Sequence, residues 1–202
     1  IQTAINISKD IETKPYNAAK LKGYLPELRG MTVKKPKEFL PRMHEIFAEC
    51  GIAFVLLPHL KNSGVNGAVK WVTDDRVVLA INNRGVYADK FWFSLFHEIR
   101  HVLQQKIKKV FISSTLEEMM DINNKLEIDA DKFAKNYLIS PEDYRRLAPS
   151  RYISDDEIVE FAKTIGIHPG IVAGRLQHEG IIPQERCSKL KEKYVFETKK
   201  IA

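Results

Sequence analysis

The stretch that most constrains this chain is Phe91-Trp92-Phe93-Ser94-Leu95-Phe96-His97-Glu98-Ile99-Arg100-His101-Val102-Leu103, an HExxH set in a run that is apolar on nearly all sides. Such a run reads as a helix buried in the middle of a domain. On a helix, His97 and His101 lie one turn apart on one face, so two imidazole nitrogens reach a single ion at roughly 2.0–2.1 Å. Glu98 flanks that ion without ligating it, the position of a general base facing a water whose pKa zinc lowers to about 7. The chemistry expected of this arrangement is hydrolysis of a carbonyl compound, above all a peptide bond. The competing reading is a core helix with two internally satisfied histidines, and burying two histidines and a glutamate unpaired is costly.

A catalytic zinc takes three protein ligands and keeps one position open. In Leu126-Glu127-Ile128-Asp129-Ala130-Asp131-Lys132-Phe133-Ala134, the residues Glu127, Ala130, Asp131 and Ala134 share a helix face. Glu127 is the candidate third ligand. Asp131 is placed to accept the other ring N–H of a zinc histidine and so fix its tautomer, while Ala130 and Ala134 permit a close helix approach. Asp129, about 200° round from Glu127, is expected to face away. Glu117 and Glu118 are the rival ligands.

HExxH followed by ExxxD is the gluzincin pattern, and the fuller text, WFSLFHEIRHVL and then ExxADxFAxxYLISP, resembles the ImmA/IrrE-type metallopeptidases. It is similar in particular to the branch fused behind an Xre-like helix-turn-helix in antitoxin-type transcriptional regulators. The resemblance runs from about Pro15 to Phe196. It implies zinc held by His97, His101 and Glu127, a base at Glu98, and a DNA-binding repressor or antitoxin as substrate. Two positions depart from it: Arg100 stands where the family commonly has Gly, and Gln105 where this branch often has a further His. A cation at Arg100 is expected to crowd the cleft or weaken metal binding. That keeps open an alternative, a non-catalytic zinc-fold sensor or interaction domain of an antitoxin-type repressor.

Composition sets the frame for these motifs. With 44% hydrophobic and 29% charged residues, the chain reads as globular rather than disordered. No apolar run approaches the roughly 18 residues of a membrane span and no secretory segment opens the sequence, so no membrane partner and a cytoplasmic location are expected. Cys50 and Cys187 have no metal-type spacing and read as free thiols. The formal charge of +6 suits a surface that meets nucleic acid or an acidic partner, although much of the lysine lies near the two ends. Because the first residue is Ile1, the sequence is expected to be a fragment, with DNA contacted through a preceding domain.

The expected fold is α+β: a small, mostly antiparallel three-stranded sheet packed on the HExxH helix, with a C-terminal helical lobe. Residues 1–30 read as a linker or arm with a short helix near Ala18 to Leu25, 31–148 as the metallopeptidase core, and 149–202 as a helix-turn-helix-like lobe with a basic tail. Pro36 to Cys50 is an amphipathic helix stopped by Gly51. Ile52 to Pro58 is a buried strand, and Ala68–Val72 with Val77–Ile81 a hairpin turned at Asp74-Asp75. The Gly67–Trp71 segment is a candidate shelf where a substrate adds as a strand, or an ordinary hairpin arm with Trp71 in the core. Asp89 is placed to cap the HExxH helix. Leu116 to Leu138 forms the second ligand helix, with a break near Asn123-Asn124 left open. Tyr137 is either an oxyanion donor or a buried packing residue. Ser154-Asp155-Asp156-Glu157 is a capping box, and the helix after His168-Pro169 shows Arg175, Gln177 and His178 as the residues with which a helix-turn-helix would read DNA.

Overall fold

The computed structural model describes residues 1–57, 66–82, 87–104, 116–147 and 153–196, the side chains of 116–119 excepted. The expectations for Gln105 and for the side chains of Glu117 and Glu118 lie outside the described residues. Within them the fold is α+β, with eight α-helices around a three-stranded sheet.

The first thirty residues are helical: α1 spans Gln2–Ser8 and α2 spans Ala18–Gly30. Asn17 caps α2 by accepting from the Lys20 amide at 2.9 Å, and the helix runs past the expected end at Leu25, through Pro26. Its Leu21, Leu25 and Leu28 are buried in the main core, so this stretch packs as structure rather than as an arm. Helix α3 (Pro36–Glu49) follows as expected, with Pro36 in its first turn and Phe39, Met43, Ile46 and Phe47 buried. It stops before Gly51, whose φ of +80° and whose place against the Tyr16 backbone, 2.4 Å from where a Cβ would stand, require glycine.

The sheet differs from the expectation of a mostly antiparallel one. Its order is β1-β3-β2, with β1 (Ile52–Leu57) parallel to β3 (Arg76–Asn82), and β2 (Gly67–Thr73) antiparallel to β3. The hairpin at Asp74-Asp75 is as expected, but it inserts β3 rather than β2 beside β1. The reason is burial on both faces. Ile52, Phe54, Val77, Leu79 and Ile81 point into the main core, and Ala53, Val55, Val78 and Ala80 face a smaller cluster sealed by Ala4 of α1. Both β1 and β3 are apolar on both sides, and they lie next to each other with β3 in the interior position. Strand β2 carries exposed Lys70, Val72 and Thr73, and a lysine-bearing strand is suited to the edge.

Helix α4 (Ala88–Leu103) lies under the sheet and buries Phe91, Trp92, Leu95, Phe96, Ile99 and Val102 along with Glu98 and His101. Asp89 does not cap it. Tyr87 occupies the cap position, and Asp89 pairs instead with Lys191 at 2.8 Å. Helix α5 (Leu116–Leu138) is continuous through Asn123-Asn124 and packs along α4, with Ala130 and Ala134 fully buried between them. Then come α6 (Pro141–Leu147), α7 (Asp155–Ile165) and α8 (Pro169–His178). Ser154 and Glu157 form the capping box at the start of α7, and Gly166 ends it in the left-handed region.

The C-terminal segment returns to the start of α4. Ala88 N–H donates to Glu192 O at 2.9 Å, Tyr87 bridges Lys193, and the buried Trp92 indole donates to the Tyr194 hydroxyl at 2.8 Å. One buried cluster thus extends from Leu21 to Phe196. The helix-turn-helix outline of α7 and α8 is present, yet two of its expected reading residues are used internally, while His178 is exposed. Arg175 donates to Lys135 O and Ile139 O, and Gln177, 4% exposed, donates to Gln184 O and Arg186 O.

Candidate metal centre

The α4–α5 contact builds the site. Leu126, Ala130 and Ala134 run down the middle of the α5 face, and the small alanines let the backbones approach. Glu127 and Asp131 emerge on one flank of that seam, opposite His97 and His101 of α4. His97 Nε2 lies 3.2 Å from Glu127 Oε2, His101 Nε2 lies 3.3 Å from Glu127 Oε1, and the two ring nitrogens are 2.9 Å apart. The ligand atoms of all three residues fall within 4.8 Å of one another. The residues expected as ligands are therefore brought together from two helices.

Hydrogen bonding decides what these atoms offer. His97 Nδ1 is 2.8 Å from Asp131 Oδ1, and a carboxylate there requires the ring proton on Nδ1. His101 Nδ1 is 2.9 Å from Gln104 Oε1, with the same consequence. In the neutral rings both Nε2 atoms are then acceptors, and they converge with a third acceptor, the Glu127 carboxylate. Three acceptors facing one point repel one another unless a cation lies among them. Nitrogen and carboxylate donors in this number suit zinc, and three protein ligands leave a position for solvent. The donor set thus fits a divalent ion, and His97, His101 and Glu127 are the residues that would hold it.

Glu98 turns the other way around α4, toward β2. It is 6% exposed, and its side chain rests on Gly67, where a Cβ would stand 2.6 Å from Glu98 Cγ and 2.8 Å from Oε1. Glycine at the first residue of β2 is what lets the strand pass over the carboxylate. The resulting cleft, about 480 Å³, is lined by Gly67, Ala68 and Val69 of β2, Phe93 and Ser94 of α4, and the ligand residues. Among the described residues, strand β2 has β3 on one side only, and its other edge borders the cleft.

One sequence expectation holds with an added detail here, and another is revised. Asp129 does face away from Glu127, but into the opposite flank of the same seam, where it accepts from Arg100 Nε at 2.6 Å and from Gln104 Nε2 at 2.7 Å. Burial raises the Asp129 carboxyl, and these two hydrogen bonds outweigh it and hold the group below the ordinary carboxylate range. Arg100 accordingly does not crowd the cleft. It lies against Asp129 and over the Phe133 ring, 5.5 Å from its centroid. Tyr137 stacks on Phe96 at 5.2 Å and is absent from the cleft lining, which makes it a packing residue.

Sequence reasoning missed Gln104, and it named Gly67 only as the start of the candidate substrate shelf, not for its contact with Glu98. Gln104 stands three residues after His101 and so shares its face, which was the available signal. The contact of Gly67 with Glu98 carried no signal, because the need for glycine comes from a strand-to-helix approach. No family model and no curated protein matches this chain. No helix among the described residues is long and apolar enough to cross a membrane.

Proposed function

We propose that this chain is a zinc-dependent endopeptidase, with His97, His101 and Glu127 as metal ligands and Glu98 as general base. One observation carries the reading: two bare imidazole nitrogens and a carboxylate converge from two helices beside a second, buried carboxylate. Zinc, when bound, supplies a Lewis acid that polarises a carbonyl and acidifies water. Glu98, held in place by α4 and Gly67, takes the proton from the attacking water and passes it to the departing amine. Asp131 and Gln104 keep the two ligand rings in the tautomer that leaves Nε2 bare. An extended polypeptide can lie along the cleft-side edge of β2 as an added strand, which brings one of its carbonyls past Glu98. This favours a peptide over a small amide as substrate.

The HExxH and ExxADxFAxxYLISP text, by its similarity to ImmA/IrrE-type metallopeptidases, points to a DNA-binding repressor or antitoxin as that polypeptide. The competing reading, a non-catalytic zinc-fold sensor domain of such a repressor, draws its weight from Arg100 and from the basic charge balance. The pairing of Arg100 with Asp129 lessens the first of these and leaves the second.

The test is co-expression with the helix-turn-helix protein encoded beside this chain. Cleavage is expected with the wild type and not with Glu98→Gln, a loss of at least about 10³-fold given what removing a general base and its positioning does. Identical cleavage, or identical absence of cleavage with zinc bound at one equivalent, would overturn the proposal in favour of the sensor reading.

A further inference from the structure

Gln104 is 1% exposed, in the turn that ends α4, and all of its amide is engaged. Its Nε2 lies 3.1 Å from Leu126 O and 2.7 Å from Asp129 Oδ2, and its Oε1 lies 2.9 Å from His101 Nδ1. The amide orientation follows from elementary donor–acceptor accounting. A backbone carbonyl can only accept, so the end of the amide facing Leu126 O has to be the NH₂ group, and the end facing His101 has to be the oxygen. An oxygen at that place requires a proton on Nδ1. The state of the imidazole is therefore dictated from α5, through one side chain, without any contact to the cleft.

From this geometry we infer that Gln104 is a positioning residue that sets the tautomer of His101, and that Leu126 O, Asp129 and Arg100 form the relay which fixes Gln104. The inference rests on the reading of His101 as a metal ligand and adds a structural cause for its readiness to bind. Arg100 donates to Asp129 at 2.6 Å and lies over Phe133, so the guanidinium anchors the carboxylate that anchors the amide. Arg100, Asp129 and Gln104 occupy the flank of the α4–α5 seam opposite His97 and Asp131. The same relay thereby sets the separation of the helices that carry the two histidines and Glu127.

The choice of an amide here has a physical reason. The partner of His97 is Asp131, whose side chain is 62% exposed and keeps its contact with solvent. The partner of His101 is almost fully buried, where an added carboxylate would be expensive and would face Asp129 at hydrogen-bond distance. A neutral amide supplies the accepting oxygen toward the ring and the donating nitrogen toward Asp129 at once.

The experiment uses the full chain in two states. In metal-free protein at a pH where the imidazoles are neutral, long-range ¹⁵N–¹H correlation spectra report which ring nitrogen of His101 carries the proton. In parallel, zinc affinity is measured by competition with a chromophoric chelator. The wild type is expected to show Nδ1–H at His101. Gln104→Met, which keeps the volume and removes the hydrogen bonds, is expected to give a mixture of tautomers at His101 with His97 unchanged, and to weaken zinc binding roughly 10- to 100-fold. Asp129→Ala leaves Gln104 held by Leu126 O alone and is expected to give a smaller loss in the same direction. It also serves as the deciding variant if Gln104→Met does not fold. A wild type with Nε2–H at His101, or variants that keep the tautomer and bind zinc within twofold of wild type, would overturn the relay. If the wild type binds no zinc while Gln104→Met still changes the tautomer, the metal reading falls and the relay stands.

Discussion

The two helices that bring the site together are held by opposite means. Helix α4 is buried nearly all round and is fixed by packing: Trp92, Leu95, Phe96, Ile99 and Val102 are each fully buried. Helix α5 is exposed over much of its length, with Met120 and Ile128 more than 60% accessible, and it is fixed at its end. Arg29 donates to Tyr137 O and Leu138 O, and Arg175 donates to Lys135 O and Ile139 O, so two guanidinium groups from α2 and α8 close the carbonyls that the α5 terminus leaves open. Glu179 ties this anchor together by accepting from Tyr144, Lys135 and Arg175. A ligand pair on α4 thus inherits the rigidity of the core, whereas the ligand on α5 inherits that of a polar clamp some turns away. The site joins a part set by apolar burial to a part set by charge.

Changes that attack packing should therefore do the most harm. Phe96→Ala removes a fully buried ring stacked on Tyr137 and is expected to lower stability by about 3–5 kcal/mol, read from urea unfolding. Zinc should act next, and unevenly. At 100 times its dissociation constant it is expected to add about 2.7 kcal/mol, and amide hydrogen exchange should slow around Glu127 in α5 far more than in α4, since α4 is already fixed. Equal slowing in both helices would break the contrast.

Loosening the clamp comes third. Arg175→Ala deletes the hydrogen bonds to Lys135 O and Ile139 O and the guanidinium that lies 3.7 Å over the Tyr144 ring. A loss of about 1.5–3 kcal/mol is expected in unfolding measurements, with zinc affinity falling alongside. Acid should reach the same clamp by another route. Burial raises the Glu179 carboxyl, but hydrogen bonds from Lys135 and Tyr144 and the charge of Arg175 outweigh it and hold the group below its ordinary value of 4.5. Its contribution is complete above that value and drains as pH falls through the lower folded value. Wild type is expected to lose more stability than Glu179→Gln as pH is lowered below 4.5. The smallest effect belongs to the exposed half of α5. Lys125→Ala removes the solvated pair with Asp121 and should change stability by less than about 0.5 kcal/mol.

What could be read from the residues follows the same division. The HExxH helix and the face bearing Glu127, Ala130, Asp131 and Ala134 are legible because helical period places those side chains by local geometry alone. The hairpin at Asp74-Asp75 is legible from turn chemistry, but the strand order is not. Whether β2 or β3 lies beside β1 depends on which strand is covered on both faces, and the second cover, Ala4 of α1, comes from a stretch with no sustained period. The ligands were visible, and so was Asp131 behind His97, but the supports of His101 were not. Gln104, Asp129 and Arg100 matter only once α4 and α5 are side by side: the spacing from His101 marks the face of Gln104 but not the partners it meets there.

The hydrogen bond from Trp92 to Tyr194 also bears on how the molecule is made. The partner of that indole lies 102 residues downstream, and Phe196 follows it onto Phe91. During synthesis, the helix that bears the histidines leaves the ribosome long before its own N-terminal cover does. Nascent chains paused between the two would carry His97, Glu98 and His101 with Trp92 still unsealed, so the packing of the HExxH helix is completed only once the segment around Tyr194 has been made.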